Sequence, residues 1–324
     1  MFLAQQVMRR PGRSANPGVS SEGLGSRRVK SINSKLGIAL IYLLSLLPLN
    51  AARWLGRSCA RLMALRGPRG LSVTRINIDL CFPTLSQVER RKLAAQSYLA
   101  LGETVAESGA SWIWPADKLL SKVTSIHNEQ LLTNGVGAER GVIAIIPHLG
   151  NWEVVGLYLA QLHKTTSLYE PPKDPGLDRL IYKGRIRNGA NLVATNKKGV
   201  AALLKSLRAG HIVAVLPDQL PREATSGANA LFFNNSAMTM SLVSRLLVKT
   251  NASAVFIGAI RCRDGFEIVM HEPSADLYST DLDLSLAALN AGVEKMILLA
   301  PEQYSWEYKR FRPVPRSGTN PYLN

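Results

Sequence analysis

The chain has 324 residues, 46% of them hydrophobic, which is enough for one large domain or two small ones around a sizeable core. Its formal net charge of +16 is concentrated at one end: residues 1–75 hold 13 Lys and Arg against the single acid Glu22, whereas residues 76–324 hold 26 against 22. A nearly balanced body with 6% aromatic residues lacks the basic grooves and stacking platforms of a nucleic-acid binder, and Cys59, Cys81 and Cys262, with no paired spacing, argue against a disulfide framework or a zinc site.

Residues 1–33 are rich in Arg, Ser, Gly and Pro and lack periodicity, so they are expected to form a basic disordered tail. Leu36 to Ala52 is apolar apart from Tyr42, Ser45 and Asn50. As a helix it would reach about 25 Å, short of the ~30 Å hydrocarbon core of a bilayer. Arg53, Arg57 and Arg61 follow at four-residue spacing, which lines one helical face, with Trp54, Leu55, Leu62 and Leu65 as apolar neighbours. That is the pattern of an interfacial helix, and cations on both sides of the apolar run would keep both ends on the cytoplasmic side. Residues 34–70 are therefore predicted to be a membrane anchor and interfacial helix, shallow or re-entrant, with a single span as the second reading and a buried core helix as the structural alternative for the short apolar run.

From residue 71 the pattern is globular. Ser86 and Glu89 form a capping-box signature that opens a long helix to about Trp112. Strands are then predicted at 142–147, 165–170, 191–195, 211–217, 229–233, 254–262 and 266–272, and helices at 152–163, 176–188, 197–209, 237–249 and 282–300. This alternation predicts an α/β fold, a mixed but mostly parallel central sheet flanked by helices. Arg263-Asp264-Gly265 joins the last two strands as a hairpin, so the sheet is expected to be mixed at one edge.

The strongest chemical signal is His148-Leu149-Gly150-Asn151-Trp152-Glu153, immediately after the apolar run Val142 to Pro147. It places a base and a carboxylate at a strand end, where α/β sheets gather their chemistry. Five positions on a continuous helix point about 140° apart, so the pair can meet only across a turn, which Gly150 and Asn151 favour. A buried histidine followed by a helix-start glutamate is the structural alternative. His271 and Asp276 repeat the spacing but lie in a hairpin end and a loop, and read as surface structure. His127, His163 and His211 have no acid at useful spacing. Gly135-Val136-Gly137 has its third glycine one place late for a dinucleotide loop and precedes a strand, and no G-x-S-x-G elbow is present. General-base chemistry by His148, oriented by Glu153, is the economical reading. Attack on an ester or thioester also calls for oxyanion donors. Lys183-Gly184-Arg185-Ile186-Arg187 is a cationic cluster that could supply them or could be a solvated helix end, and Asp218-Gln219 is a polar pair at another strand end.

Several segments, in order, resemble the lipid A biosynthesis acyltransferases: Asn77-Ile78-Asp79-Leu80-Cys81-Phe82-Pro83, Pro147 to Glu153, Asp178-Arg179-Leu180-Ile181 with Lys183-Gly184-Arg185, Leu216-Pro217-Asp218-Gln219, Phe232-Phe233, and Pro301 to Trp306 with Arg310-Phe311. The resemblance covers about residues 36–315. It implies a glycerolphosphate-acyltransferase-like fold over residues 71–324. It also implies an inner-membrane enzyme with a cytoplasm-facing site, which moves a fatty acyl chain from acyl carrier protein to a hydroxyl of a lipid A precursor without a metal or bound cofactor. On it, His148 is the base, Glu153 its partner and Arg185 a catalytic arginine, while Asn151, Trp152, Lys183, Arg187, Asp218 and Gln219 line the substrate site. Ala230-Leu231-Phe232-Phe233-Asn234-Asn235 departs from the family's Phe-Phe-Gly. Transfer to another membrane glycolipid or aminolipid, and a non-catalytic membrane-docked binding protein on the same fold, are the alternatives.

Overall fold

The computed structural model describes residues 22–137, 140–313 and 320–323. Its helices are α1 (Glu22–Ser45), α2 (Leu49–Ala64), α3 (Arg69–Cys81), α4 (Gln87–Ile113), α5 (Ala116–Leu120), α6 (Gln130–Gly137), α7 (Trp152–Leu162), α8 (Pro175–Ile186), α9 (Lys197–Arg208), α10 (Leu242–Lys249) and α11 (Leu282–Ile297). Its strands are β1 (Val123–His127), β2 (Val142–Ile145), β3 (Thr165–Tyr169), β4 (Asn191–Ala194), β5 (Ile212–Val215), β6 (Gly227–Phe232), β7 (Asn235–Met240), β8 (Ser253–Arg261) and β9 (Phe266–His271).

Seven strands form one sheet in the order β1-β9-β8-β2-β5-β3-β4. All neighbours are parallel except β8 and β9, the hairpin that Arg263 to Gly265 predicts. β1, which sequence periodicity did not reveal, pairs parallel outside β9 and displaces the antiparallel pair from the edge. The central strands β2 and β5 are buried throughout, as expected of unalternating Val/Ile/Ala runs covered by helices on both faces. β6 and β7 form a separate antiparallel ribbon, closed by Phe233 and Asn234 at positive φ. The predicted helix 237–249 is therefore wrong in its first part. Residues 237–240 belong to β7, and the helix begins at Leu242.

The N-terminal expectations need correction. Residues 1–21 of the predicted disordered tail lie outside the described residues, and 22–33 are helical. The apolar run from Leu36 is interrupted: α1 ends at Ser45, and Pro48 caps a new helix. Part of that run is core, because Ile41 packs with Leu177 and Leu180, and Leu44 and Ala52 pack with Ala106. Among the described residues no helix is long and apolar enough to cross a membrane, which leaves no support for the single-span reading. α4 does open with the predicted capping box, Ser86 to Glu89. α2 lies so close against it that a Cβ on Gly56 would fall 2.2 Å from the Gly102 carbonyl oxygen.

Candidate active site

Four residues converge at the carboxyl ends of β2 and β5. The two strands pair in parallel with Ile145 opposite Val215, and each then continues through an apolar residue and a proline. Equal extension brings His148 and Asp218 side by side. The Asp218 carboxylate takes the His148 backbone N–H on Oδ2 at 2.8 Å and the ring Nδ1–H on Oδ1 at 2.7 Å. A carboxylate only accepts, so this contact places the ring proton on Nδ1 and leaves Nε2 with a lone pair, which faces the Gln219 amide at 3.1 Å. Trp152 meets the imidazole edge-on, with ring centroids 5.0 Å apart.

This geometry corrects the expected partnership. Glu153 does not orient His148. It sits in the first turn of α7 and binds Arg185 of α8 through two guanidinium nitrogens, Nε to Oε2 at 2.9 Å and Nη2 to Oε1 at 2.6 Å. The turn between His148 and α7 is the cause. Gly150 has φ +59, in the left-handed region, and a Cβ there would lie 2.0 Å from the Ala259 carbonyl oxygen. With the backbone so reversed, the carboxylate points toward α8 while the imidazole faces β5.

Asn151 is also corrected. It caps α7 by accepting the Val154 N–H, and its amide donates to the buried Glu107 at 2.8 Å, so it braces the loop from behind instead of lining a substrate site. Lys183 is exposed and lies on the solvent side of α8. Arg187 is half-buried and donates to the Gly184 carbonyl oxygen, and its Nε and Nη2 have no partner among the described residues. Burial lowers its pKa against the opposing pull of Glu153.

The loop is clamped on its other flank. The Ser305 N–H donates to the His148 carbonyl oxygen, Gly150 N–H to Gln303, and Asn151 N–H to Ala259. Arg261 donates to the Gly150 carbonyl oxygen and, through Nε, to Glu107 at 2.9 Å. Arg53 of α2 reaches the same Glu107 oxygen at 2.7 Å. Sequence reading missed Glu107 and Arg261, which are separated along the chain from any recognisable spacing, and gave no site role to Tyr304, although it lies in the Pro301–Trp306 motif. Tyr304 and Trp306, with ring centroids 4.7 Å apart, continue into Phe232, Phe233 and Phe82, an apolar wall beside the dyad.

Both site carboxyls titrate below their ordinary range. Burial alone would raise Asp218, but the His148 charge and the hydrogen bonds from its ring and backbone outweigh it. Burial would likewise raise Glu153, but the charge and hydrogen bonds of Arg185, with Trp112 and Arg187 assisting, outweigh it and hold its pKa down. A carboxyl depressed in the folded state stabilises the fold above its unfolded pKa, and loses that contribution as pH falls through the folded value. Glu153→Gln removes one such contribution. Its melting temperature should fall below that of the unsubstituted chain at neutral pH, and the gap should close in acid, below about pH 4, where unfolded glutamate protonates. Thermal melts from neutral to acid pH check this, and a gap constant across the range contradicts it.

A catalytic-type His–Asp pair, a neighbouring Glu–Arg pair and an apolar wall suit acyl transfer, and comparison with known proteins agrees. The family model described as bacterial lipid A biosynthesis acyltransferase matches residues 26–313. The chain is 27% identical over 289 residues to the lipid A biosynthesis lauroyltransferase of Escherichia coli (strain K12), covering 89% of this chain and 94% of that protein. It is 28% identical over 296 residues to the lipid A biosynthesis palmitoleoyltransferase of the same organism, covering 89% and 93%. Against the lipid A biosynthesis myristoyltransferase it is 26% identical over 271 residues, covering 81% and 82%. From the ordered motifs, the clustered site and a match spanning most of its length, the chain belongs to the bacterial lipid A biosynthesis acyltransferase family and is an acyltransferase.

Proposed function

We propose that the protein transfers a fatty acyl chain from acyl carrier protein to a hydroxyl of a lipid A precursor, at the inner membrane and with its site facing the cytoplasm. The observation that carries this reading is the His148–Asp218 pair at the carboxyl edge of the sheet, with the ring proton on Nδ1 and Nε2 turned to Gln219. The acceptor hydroxyl displaces the Gln219 amide and gives its proton to Nε2 as its oxygen attacks the thioester carbonyl. Asp218 stabilises the imidazolium that forms. The C–S bond then breaks, the new ester C–O bond remains, and the imidazolium returns the proton to the leaving thiolate. The two unpartnered guanidinium nitrogens of Arg187, Nε and Nη2, beside the Arg185–Glu153 pair, are the donors best suited to the transient oxyanion. The donor brings its own phosphopantetheine, so the chemistry needs no bound cofactor.

The acceptor assignment is supported by the lipid A biosynthesis in the names of the relatives, and the fatty acyl group by their lauroyl-, palmitoleoyl- and myristoyltransferase names. The membrane assignment is supported by the outward apolar surface of α1 and α2, where Leu36, Leu43, Trp54 and Leu62, with Leu65 just past the end of α2, are all more than half exposed. Mass spectrometry of lipids from a deletion strain, together with an assay of the purified full chain with acyl carrier protein thioester and lipid A precursor, tests the reading. The expected result is lipid A lacking one acyl chain, and its restoration in vitro. Unchanged lipid A with loss of an acylated glycolipid or aminolipid moves the acceptor. Binding of both substrates without turnover identifies a non-catalytic binding protein.

A further inference from the structure

A cavity of about 580 Å³ opens between α2, α4 and the β8–β9 turn, and the acyl-transfer chemistry makes no use of it. Its floor is Arg53 and Arg261, whose guanidiniums share a single carboxylate, the fully buried Glu107. Their other N–H groups are taken by uncharged oxygens, including the carbonyls of Cys262, Gly265 and Gly150. One carboxylate for two buried guanidiniums leaves uncompensated positive charge under the cavity. Its rim adds Arg57, which holds Glu103 at 3.0 Å and is half-buried, and the exposed Arg263, which has no ion-pair partner among the described residues. Glu302 is the remaining acid of the lining. Four guanidiniums thus face three carboxylates around a space large enough for a phosphate and its ester groups.

The place of the cavity on α2 narrows the ligand. At roughly 100° per residue, Arg57 lies about 40° around the helix from the buried Arg53, Arg61 about 40° further, and Trp54 about 20° beyond that. Burial follows this order: Arg53 is in the core, and Trp54 and Leu65 are 70% and 83% exposed. The cavity therefore opens between the protein core and the outward apolar stripe, at the level where a helix lying in a bilayer meets lipid phosphates.

We propose that this cavity binds the phosphate of an anionic membrane lipid, apart from the acceptor at His148, and so fixes the orientation of the docked enzyme. The inference rests on the membrane-docking part of the proposed function. It is tested by sedimenting the full chain with phosphatidylcholine vesicles, with and without phosphatidylglycerol, at constant ionic strength. Arg57→Gln and Arg263→Gln should each lower partitioning onto the anionic vesicles about tenfold or more, as for a lost charge-assisted hydrogen bond. Arg61→Gln, on the same helix but outside the cavity, should lose about fivefold or less, the effect of a cation merely near an anionic surface. Glu302→Gln should strengthen binding, and melting profiles should be unchanged in all four variants.

Equal losses in Arg57→Gln, Arg263→Gln and Arg61→Gln overturn this inference while leaving membrane docking intact. Failure of the unsubstituted chain to bind either vesicle overturns both. Inorganic phosphate that raises the melting temperature of the unsubstituted chain but not of Arg57→Gln, with vesicle binding equal in the two, assigns a soluble phosphate and overturns the lipid. Unchanged vesicle binding with a raised KM for acyl carrier protein assigns the cluster to the protein donor and overturns it equally.

Discussion

His148→Ala and Asp218→Asn should each lower the acyl-transfer rate by about 10²–10⁴-fold, the usual value of positioned acid–base catalysis, without a comparable rise in KM for either substrate. The two side chains act as one unit. Asp218 holds both the ring Nδ1–H and the backbone N–H of His148, and so fixes the ring's tautomer and its aim together. Removing either should therefore cost nearly as much as removing both, and the double variant should be little slower than His148→Ala. Glu153→Gln should behave differently. It acts through Arg185, so its loss weakens the cationic side of the site and leaves the imidazole aligned. Steady-state kinetics on variants with matched melting profiles check the set. A fully active Asp218→Asn beside a Glu153→Gln as slow as His148→Ala would reverse the assignment of the two carboxylates.

Glu107→Gln should destabilise the fold by about 3–5 kcal/mol, the cost of leaving buried charge unpaired, and lower the melting temperature by about 4–7 °C for a chain of this size. The Glu107 side chain ties three other parts of the chain to α4 behind the site. Its two oxygens receive Arg53 from α2, Arg261 from the end of β8, and Asn151 from the loop that carries His148. Removing the charge strands two guanidiniums that are almost wholly buried. Activity should fall with stability, since the Asn151 brace loosens. Arg53→Met should be less costly in a Glu107→Gln background than alone, and the double-mutant cycle should show a coupling of about 0.5–3 kcal/mol. Strict additivity would mean that the two residues do not support one another.

How much of this was legible in the sequence depends on whether the determinant is local. The capping box of α4, the parallel core strands and the β8–β9 hairpin rest on short-range patterns, and all are present. β1 was missed because it is an edge strand with polar residues, Val123-Thr124-Ser125-Ile126-His127, and little burial to impose a pattern. The latter part of β7 reads as helix because Ala237-Met238-Thr239-Met240 runs into the helical segment from Leu242 without a clear break. At the site, His148, Glu153, Arg185, Arg187 and Asp218 were visible, but the pairing of His148 with Asp218 was not, and neither were the buried Glu107 and Arg261 behind the loop. Sequence spacing favoured Glu153 because it is near along the chain, whereas the partner near in space is Asp218, from the adjacent strand. A signal for it does exist: Ile146-Pro147-His148 and Leu216-Pro217-Asp218 are matching extensions of two neighbouring apolar strands. Only a parallel register that sets Ile145 opposite Val215 turns that resemblance into a contact.

Nitrogen-15 NMR of the histidine rings in the full chain tests the central claim most directly, with the His148 signals assigned by their loss in His148→Ala. The expected spectrum carries the ring proton of His148 on Nδ1, and shifts when Asp218 becomes Asn but not when Glu153 becomes Gln. A proton resident on Nε2, or signals that follow Glu153 and ignore Asp218, would contradict the dyad on which the mechanism stands.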